Sequence, residues 1–392
     1  MSSIRRPRTR RTRDSTVIKA ARRSGVLSPQ VSIVDRQAMT WKPTMLDPRM
    51  VGDRAELGRL TRQPAVRLCD RLRDQLAELV RAGQPNCQLS SLDEAVAISD
   101  RLDGIPALEY GSWFYYPWSG ALVHVLPVAE FRSLRTGHTR LTVLPLDQER
   151  LSKARIAVAG LSVGLAAATT LVLEGVGGRF ALADSDALSL ADLNRCSAPV
   201  SDLGINKAVL AARRLLELDP YLHVEIFPEG VTDANIDAFL GSWAPGLSLL
   251  VEECDDQHAR IRLRERAREL RLPVLMATSD GGSLDIERFD LDPRLEMPHE
   301  LVAGHNAHGL RGMATKDKGF TVGRILGHEH VSSPTAASLV ENGQTASTWP
   351  RLASGVWLGG ARLSDAVRGV LLGTDERKEA AWNACDNTAL RR

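Results

Sequence analysis

The chain has 392 residues, 43% hydrophobic and 25% charged, with a formal net charge of +2. That balance excludes bulk disorder, and the length calls for more than one core. No run of ~18 apolar residues is present and no apolar stretch follows the N-terminal arginines, so neither a transmembrane helix nor a secretory signal is expected and a cytoplasmic protein is.

The start is strongly basic, with Arg5, Arg6, Arg8, Arg10, Arg11, Arg13, Lys19, Arg22 and Arg23 against Asp14 alone. Such an arm suits nucleic acid or an acidic partner, and equally a solvated tail, which is the expectation for residues 1–50. A small α+β unit is expected over residues 51–135. Val66, Cys69, Leu72, Leu76, Leu79 and Val80 recur at helical spacing, predicting a helix over 65–81 that Gly83 and Pro85 end. Ser91 and Glu94 form a capping-box pattern for a second helix, 92–102. Trp113 to Tyr116, a turn at Pro117 to Gly120 and Ala121 to Leu126 read as a hairpin. Its aromatic residues suit a binding face or, as expected here, the core of a small domain.

Beyond Leu151, apolar strands alternate with helical stretches, the pattern of a parallel sheet covered on both faces. Strands are predicted at 156–159, 180–183, 224–227, 247–251 and 274–277, and helices at 164–173, 207–218, 234–240, 258–270 and 352–372. The fold class is therefore α/β, a Rossmann-type doubly wound and mostly parallel sheet, over residues 136–373, followed by a tail at 374–392.

The first strand of this unit leads into Gly160-Leu-Ser-Val-Gly164, where a helix opens and can turn its free N–H groups toward phosphates. On its own that pattern fits tight strand-to-helix packing as well. The second strand is more informative. Asp184 stands where a Rossmann unit holds ribose hydroxyls, and Asp186, Asn194, Arg195 and Lys207 follow it. An arginine and a lysine together suit a triphosphate, whose charge must be offset as a leaving group departs.

These residues resemble the ThiF family of ubiquitin-activating-enzyme-like adenylyltransferases. The family pattern runs G-x-G-G-L-G, then D-x-D-x-V-x-x-S-N-L-N-R, then G-x-x-K, then a strand ending in D-x-x-D-N. The resemblance spans about 155–277 and extends through 354–373, which is similar to the family's closing helix. It implies that Asp184 holds the ribose, Arg195 and Lys207 the phosphates, and Asp255 a Mg²⁺ ion, with Asp186 and Asn194 lining the pocket beside Gly160 and Gly164. It also implies a homodimer in which an arginine before the fold, Arg140 or Arg135, reaches the partner's nucleotide. Ser162 and Val163 depart from the family's glycines, and Asp192 and Asp256 stand where it has asparagines. The chain is also similar to the ThiF-like half of actinobacterial proteins that fuse such a domain to a nitroreductase-like module.

The five cysteines include no C-x-x-C pair, so no disulfide framework or four-cysteine zinc site is indicated. Cys196, beside Arg195, is the better nucleophile candidate than Cys254, although packing is the expectation for both. His299, His305, His308, His328 and His330 match no standard zinc spacing. The resulting expectation is an ATP-dependent adenylyltransferase that activates the carboxylate of a small carrier protein, peptide or metabolite, with Arg195, Lys207 and Asp255 catalytic. The alternatives are an NAD(P)-dependent oxidoreductase and a catalytically silent scaffold.

Overall fold

A computed structural model describes residues 39–241, 246–277, 283–295, 351–374 and 379–383. The basic stretch up to residue 38 and the five histidines between 299 and 330 lie outside these residues.

The N-terminal part comprises β1 (Thr44–Leu46), α1 (Val51–Thr61), β2 (Arg67–Asp70), α2 (Leu72–Gly83), α3 (Ser91–Leu102), β3 (Ser112–Tyr116) and β4 (Ala121–Val125). The sheet order is β1-β3-β4-β2, with β3 and β4 forming the expected hairpin and β2 running parallel to β4. Residues 44–46, assigned above to the arm, pair with β3.

Two local expectations are corrected. Residues 67–70 are a strand, because pairing with β4 from Arg67 opposite Ala121 to Asp70 opposite His124 outweighs their helical periodicity. The helix starts only at Leu72, whose N–H donates to the Asp70 carboxylate at 3.1 Å. The capping box of α3 lies one residue earlier than predicted. Ser90 Oγ accepts the Asp93 N–H and Asp93 accepts the Ser90 N–H, while Glu94 pairs with Arg81.

After α4 (Val128–Thr136) and α5 (Pro145–Ser152) the chain builds β5 (Arg155–Ala159), α6 (Val163–Leu173), β6 (Arg179–Ala183), α7 (Lys207–Leu218), β7 (His223–Phe227), α8 (Ile236–Gly241), β8 (Leu249–Glu252), α9 (Gln257–Glu269) and β9 (Pro273–Ala277). These strands form the parallel order β7-β6-β5-β8-β9, which β10 (Ser283–Arg288) and β11 (Glu379–Asn383) extend antiparallel. The fold is α/β and Rossmann-type, as expected. Residues 379–383, read from sequence as tail, supply its edge strand.

Helices α6, α7 and α10 (Ala353–Leu372) cover one face, where Ala167, Ala211, Leu215, Val356 and Leu363 are buried. Helices α8 and α9 cover the other through Phe239, Leu240, Leu263 and Ala267. Helices α10 and α6 approach closely because Gly360 has no side chain; a Cβ there would lie 2.8 Å from the Ala167 nitrogen. No helix among the described residues is long and apolar enough to cross a membrane.

Of the hairpin aromatics, Trp113, Phe114 and Tyr116 are core residues, and Tyr115 and Trp118 are half-buried. Trp113 and Phe114 are 1% exposed. They also join the two sheets: Phe114 meets the Tyr221 ring edge-on at 5.1 Å, Tyr116 Oη donates to Leu216 O at 3.1 Å, and Tyr221 Oη donates to Leu126 O at 2.6 Å.

Candidate nucleotide site

Strand order reverses between β5 and β8, and the loops leaving the carboxyl ends of β5, β6 and β8 face one crevice there. Gly160 adopts φ +85° and donates its N–H to Ala183 O at 2.9 Å; a Cβ would sit 2.2 Å from Glu253 O. A Cβ on Gly164 would sit 2.7 Å from Val158 Cγ1, so this glycine sets the α6 to β5 distance. Both glycines are thus fixed by packing. Ser162, the residue before α6, makes no side-chain capping bond, which leaves the helix's first N–H groups to another acceptor.

Asp184 ends β6. Its Oδ2 accepts the Leu161 N–H and its Oδ1 the Asp186 N–H, each at 2.8 Å, so it clamps the glycine loop and retains lone pairs for a hydroxyl. Burial raises its pKa against those two hydrogen bonds. The Lys207 ammonium, at the start of α7, is nearly buried and lies 3.1 Å from Asp186 Oδ2 and 3.5 Å from Asp192 Oδ1. Burial alone would lower its pKa, but Asp184, Asp186 and Asp192 together raise it, so it stays charged.

Arg195 folds back on its own turn. Its Nη2 donates to Asp192 Oδ1 at 2.6 Å, and its Nη1 to Ala191 O and Asn194 Oδ1. Its Nε is buried and makes no hydrogen bond among the described residues. Asp192 itself is 5% exposed, and Ser189 holds its Oδ2 through N–H (2.9 Å) and Oγ (2.7 Å). Against its burial, the Ser189 hydrogen bonds and the two cations bring its pKa below the usual carboxylate value.

Asp255 lies beyond the end of β8, exposed, and accepts from Arg351 Nη2; the Arg351 carbonyl in turn accepts the Asn194 amide at 2.9 Å. Arg351, remote in sequence, is a site residue that no local pattern announces. Glu253, equally unanticipated, lies against the glycine loop and accepts the Ala277 N–H at 2.7 Å. Burial, with Glu252 adjoining, pushes its pKa to about 8. The role of Asp192 had a signal, the Ser189-x-x-Asp192 capping pattern, which closes around the short helical turn 190–194.

Asp184, Asp186, Asn194, Arg195, Lys207 and Asp255 therefore meet at one crevice. Arg135 does not join them: it donates to Val172 O at 3.0 Å and lies 3.5 Å from Asp219, at the far end of α6. Arg140 is exposed, beyond the short helical turn 137–139. Cys196 is packed with Leu188 and Leu210, and burial raises its pKa despite Arg195; burial raises that of Cys254 further. Neither thiol is activated.

The residues present fit a nucleotide triphosphate through an uncapped helix start, a ribose-placed carboxylate and an unbonded Arg195 N–H. For Mg²⁺ the candidate is the exposed carboxylate of Asp255; no group of three metal-binding side chains occurs among the described residues. One carboxylate plus substrate phosphates is a usual Mg²⁺ environment. Beside the crevice, a cavity of about 130 Å³ runs from Lys207 and Cys196 along α7 to Arg213 and Trp118 of the hairpin turn.

Residues 138–296 match the model of the ThiF family. The chain is 39% identical over 318 residues to the uncharacterized protein MT1398 of Mycobacterium tuberculosis (strain CDC 1551 / Oshkosh), covering 81% of this chain and 42% of that one. It is 30% identical over 133 residues to the sulfur carrier protein adenylyltransferase of Thermus thermophilus, covering 33% of this chain and 47% of that one. It thus spans less than half the length of either relative. The crystal structure of Escherichia coli tRNA N6-threonylcarbamoyladenosine dehydratase with ATP matches at 17% identity and a TM-score of 0.44, covering 62% of this chain and 95% of that one. The domain that carries the crevice, residues 138–296, is the part of the chain that matches the ThiF family.

Proposed function

We propose that the chain activates a carboxylate with ATP, forming an acyl-adenylate and releasing pyrophosphate. The convergence of Asp184, Arg195, Lys207 and Asp255 on the switch-point crevice carries this reading. In the reaction a carboxylate oxygen attacks the α-phosphorus while the bond to the β-phosphate oxygen breaks. Asp184 accepts from the ribose hydroxyls, and Arg195 and Lys207 offset charge building on the leaving pyrophosphate. Asp255 would hold a Mg²⁺ ion, which would supply positive charge against the phosphates. To hold it, Asp255 gives up Arg351.

The acyl substrate is the carboxylate of a small carrier protein, a peptide or a metabolite. Its place beside the N-terminal unit is supported by the cavity between Lys207 and Trp118. A homodimer completes the site, with the exposed Arg140 as the residue offered to the partner. The unit limits proposed for this arrangement are 51–135 and 136–373.

Titration calorimetry tests the reading directly: MgATP binds and NAD does not. Binding of NAD but not ATP establishes the dinucleotide alternative, and binding of neither establishes a silent scaffold. Lys207→Ala is expected to weaken ATP binding by about tenfold or more, since a charged donor to phosphate is lost. Because its ammonium is buried against Asp186 and Asp192, the same change lowers stability by about 1–3 kcal/mol. ATP affinity unchanged in that variant removes Lys207 from the site.

A further inference from the structure

Among the described residues the crevice brings together four carboxylates, Asp184, Asp186, Asp192 and Asp255, and three cations, Arg195, Lys207 and Arg351, and these groups already pair with one another. A site that awaits a polyanion ordinarily presents surplus positive charge. Asp192 is the source of the difference. Its Oδ1 lies 2.6 Å from Arg195 Nη2 and 3.5 Å from Lys207 Nζ, the bridging position that a phosphate oxygen bound by both cations would take. It cannot swing away cheaply, because Ser189 holds the other oxygen from both its N–H and its hydroxyl and the whole carboxylate is 5% exposed. The family pattern has asparagine here, a neutral group of the same shape.

Resting on the ATP reading, we infer that Asp192 is a specificity-determining positioning residue, an internal anion that fixes Arg195 and Lys207 and makes triphosphate binding depend on a divalent cation. Free ATP, bearing its full charge, meets two cations already neutralised by Asp192. ATP with Mg²⁺ brings a smaller net charge and is accepted. AMP, without the β- and γ-phosphates, is nearly indifferent to Asp192.

The test compares affinities of MgATP, ATP with chelator, and AMP in the unaltered chain and in Asp192→Asn. In the unaltered chain, metal-free ATP is expected to bind at least about tenfold more weakly than MgATP. In Asp192→Asn, metal-free ATP is expected to tighten by about tenfold, the scale of one unit charge removed a few ångströms away through a partly solvated medium, while AMP stays within about threefold. Ser189→Ala, which loosens the same turn without changing charge, keeps the ratio of ATP to AMP affinity; a ratio that moves as far as in Asp192→Asn assigns the effect to turn geometry and overturns the inference.

Weaker or unchanged metal-free ATP binding by a folded Asp192→Asn also overturns it. Should that variant not fold, the unaltered chain still decides, since metal-free ATP as tight as MgATP is incompatible with the proposal. Failure of the underlying reading looks different: neither protein binds ATP or AMP under any condition.

Discussion

At the residue scale, the site is governed by how each charge is held. Arg195 and Lys207 stand where the family pattern puts them, yet their immediate partners are carboxylates of the same crevice. Glu253 is a site carboxyl whose ionisation bears on stability. Its folded pKa of about 8 lies above the ordinary 4.5, so the native state retains a proton that the unfolded chain has lost between those values. The native state therefore loses stability as pH rises through that window. Glu253→Gln keeps an acceptor for the Ala277 N–H and has no proton to lose. Relative to the unaltered chain it is expected to gain stability from pH 4.5 to 8 and level off above, by a few kcal/mol at most. Thermal denaturation across pH checks this; a difference that does not grow with pH refutes the placement of Glu253.

At the scale of elements, the α/β half was legible in advance and the N-terminal half only partly. Helix α7 begins at Lys207 and ends at Leu218 as its pattern indicates, because Asn206 caps it and an apolar face meets the sheet. The 65–81 segment shows the opposite case: its periodicity is helical, but β4 offers an unpaired edge that only the folded sheet supplies. The capping pattern before α3 likewise pointed to Ser91 with Glu94, and the side chains select Ser90 with Asp93. Ser90→Ala should cost about 1 kcal/mol and Ser91→Ala only a few tenths. Chemical denaturation of the two variants separates the registers, and the reverse ranking would place the cap at Ser91.

For the whole molecule, the hairpin and the Rossmann-type sheet share a contact centred on Tyr221. Its ring meets Phe114 and Phe131, and its hydroxyl reaches Leu126 O. Trp118, whose Nε1 donates to Glu217 Oε1 at 2.6 Å, stands at the far end of the cavity that begins at Lys207, linking the smaller unit to the nucleotide crevice. Tyr221→Ala is expected to lower stability by about 2 kcal/mol or more, since an aromatic bridge and a hydrogen bond are lost together. Calorimetry should then show the two sheets melting in separate steps; one transition at the original temperature would mean that they are coupled elsewhere.

The order of strands and helices from 155 to 277, and the residue types of the crevice, were determined by the sequence itself. Apolar periodicity and the Asp184 to Lys207 spacing are local properties that survive without knowledge of contacts. Only the tertiary structure decided what those charges do to one another. Asp192 bridges two cations because the turn 190–194 folds its carboxylate under Arg195 while the loop return brings Lys207 alongside. Arg351 reaches Asp255, 96 residues away in sequence, because α10 packs across α6 and begins beside the end of β8. Electrostatic pairing depends on distance in space, and no spacing along the chain encodes it.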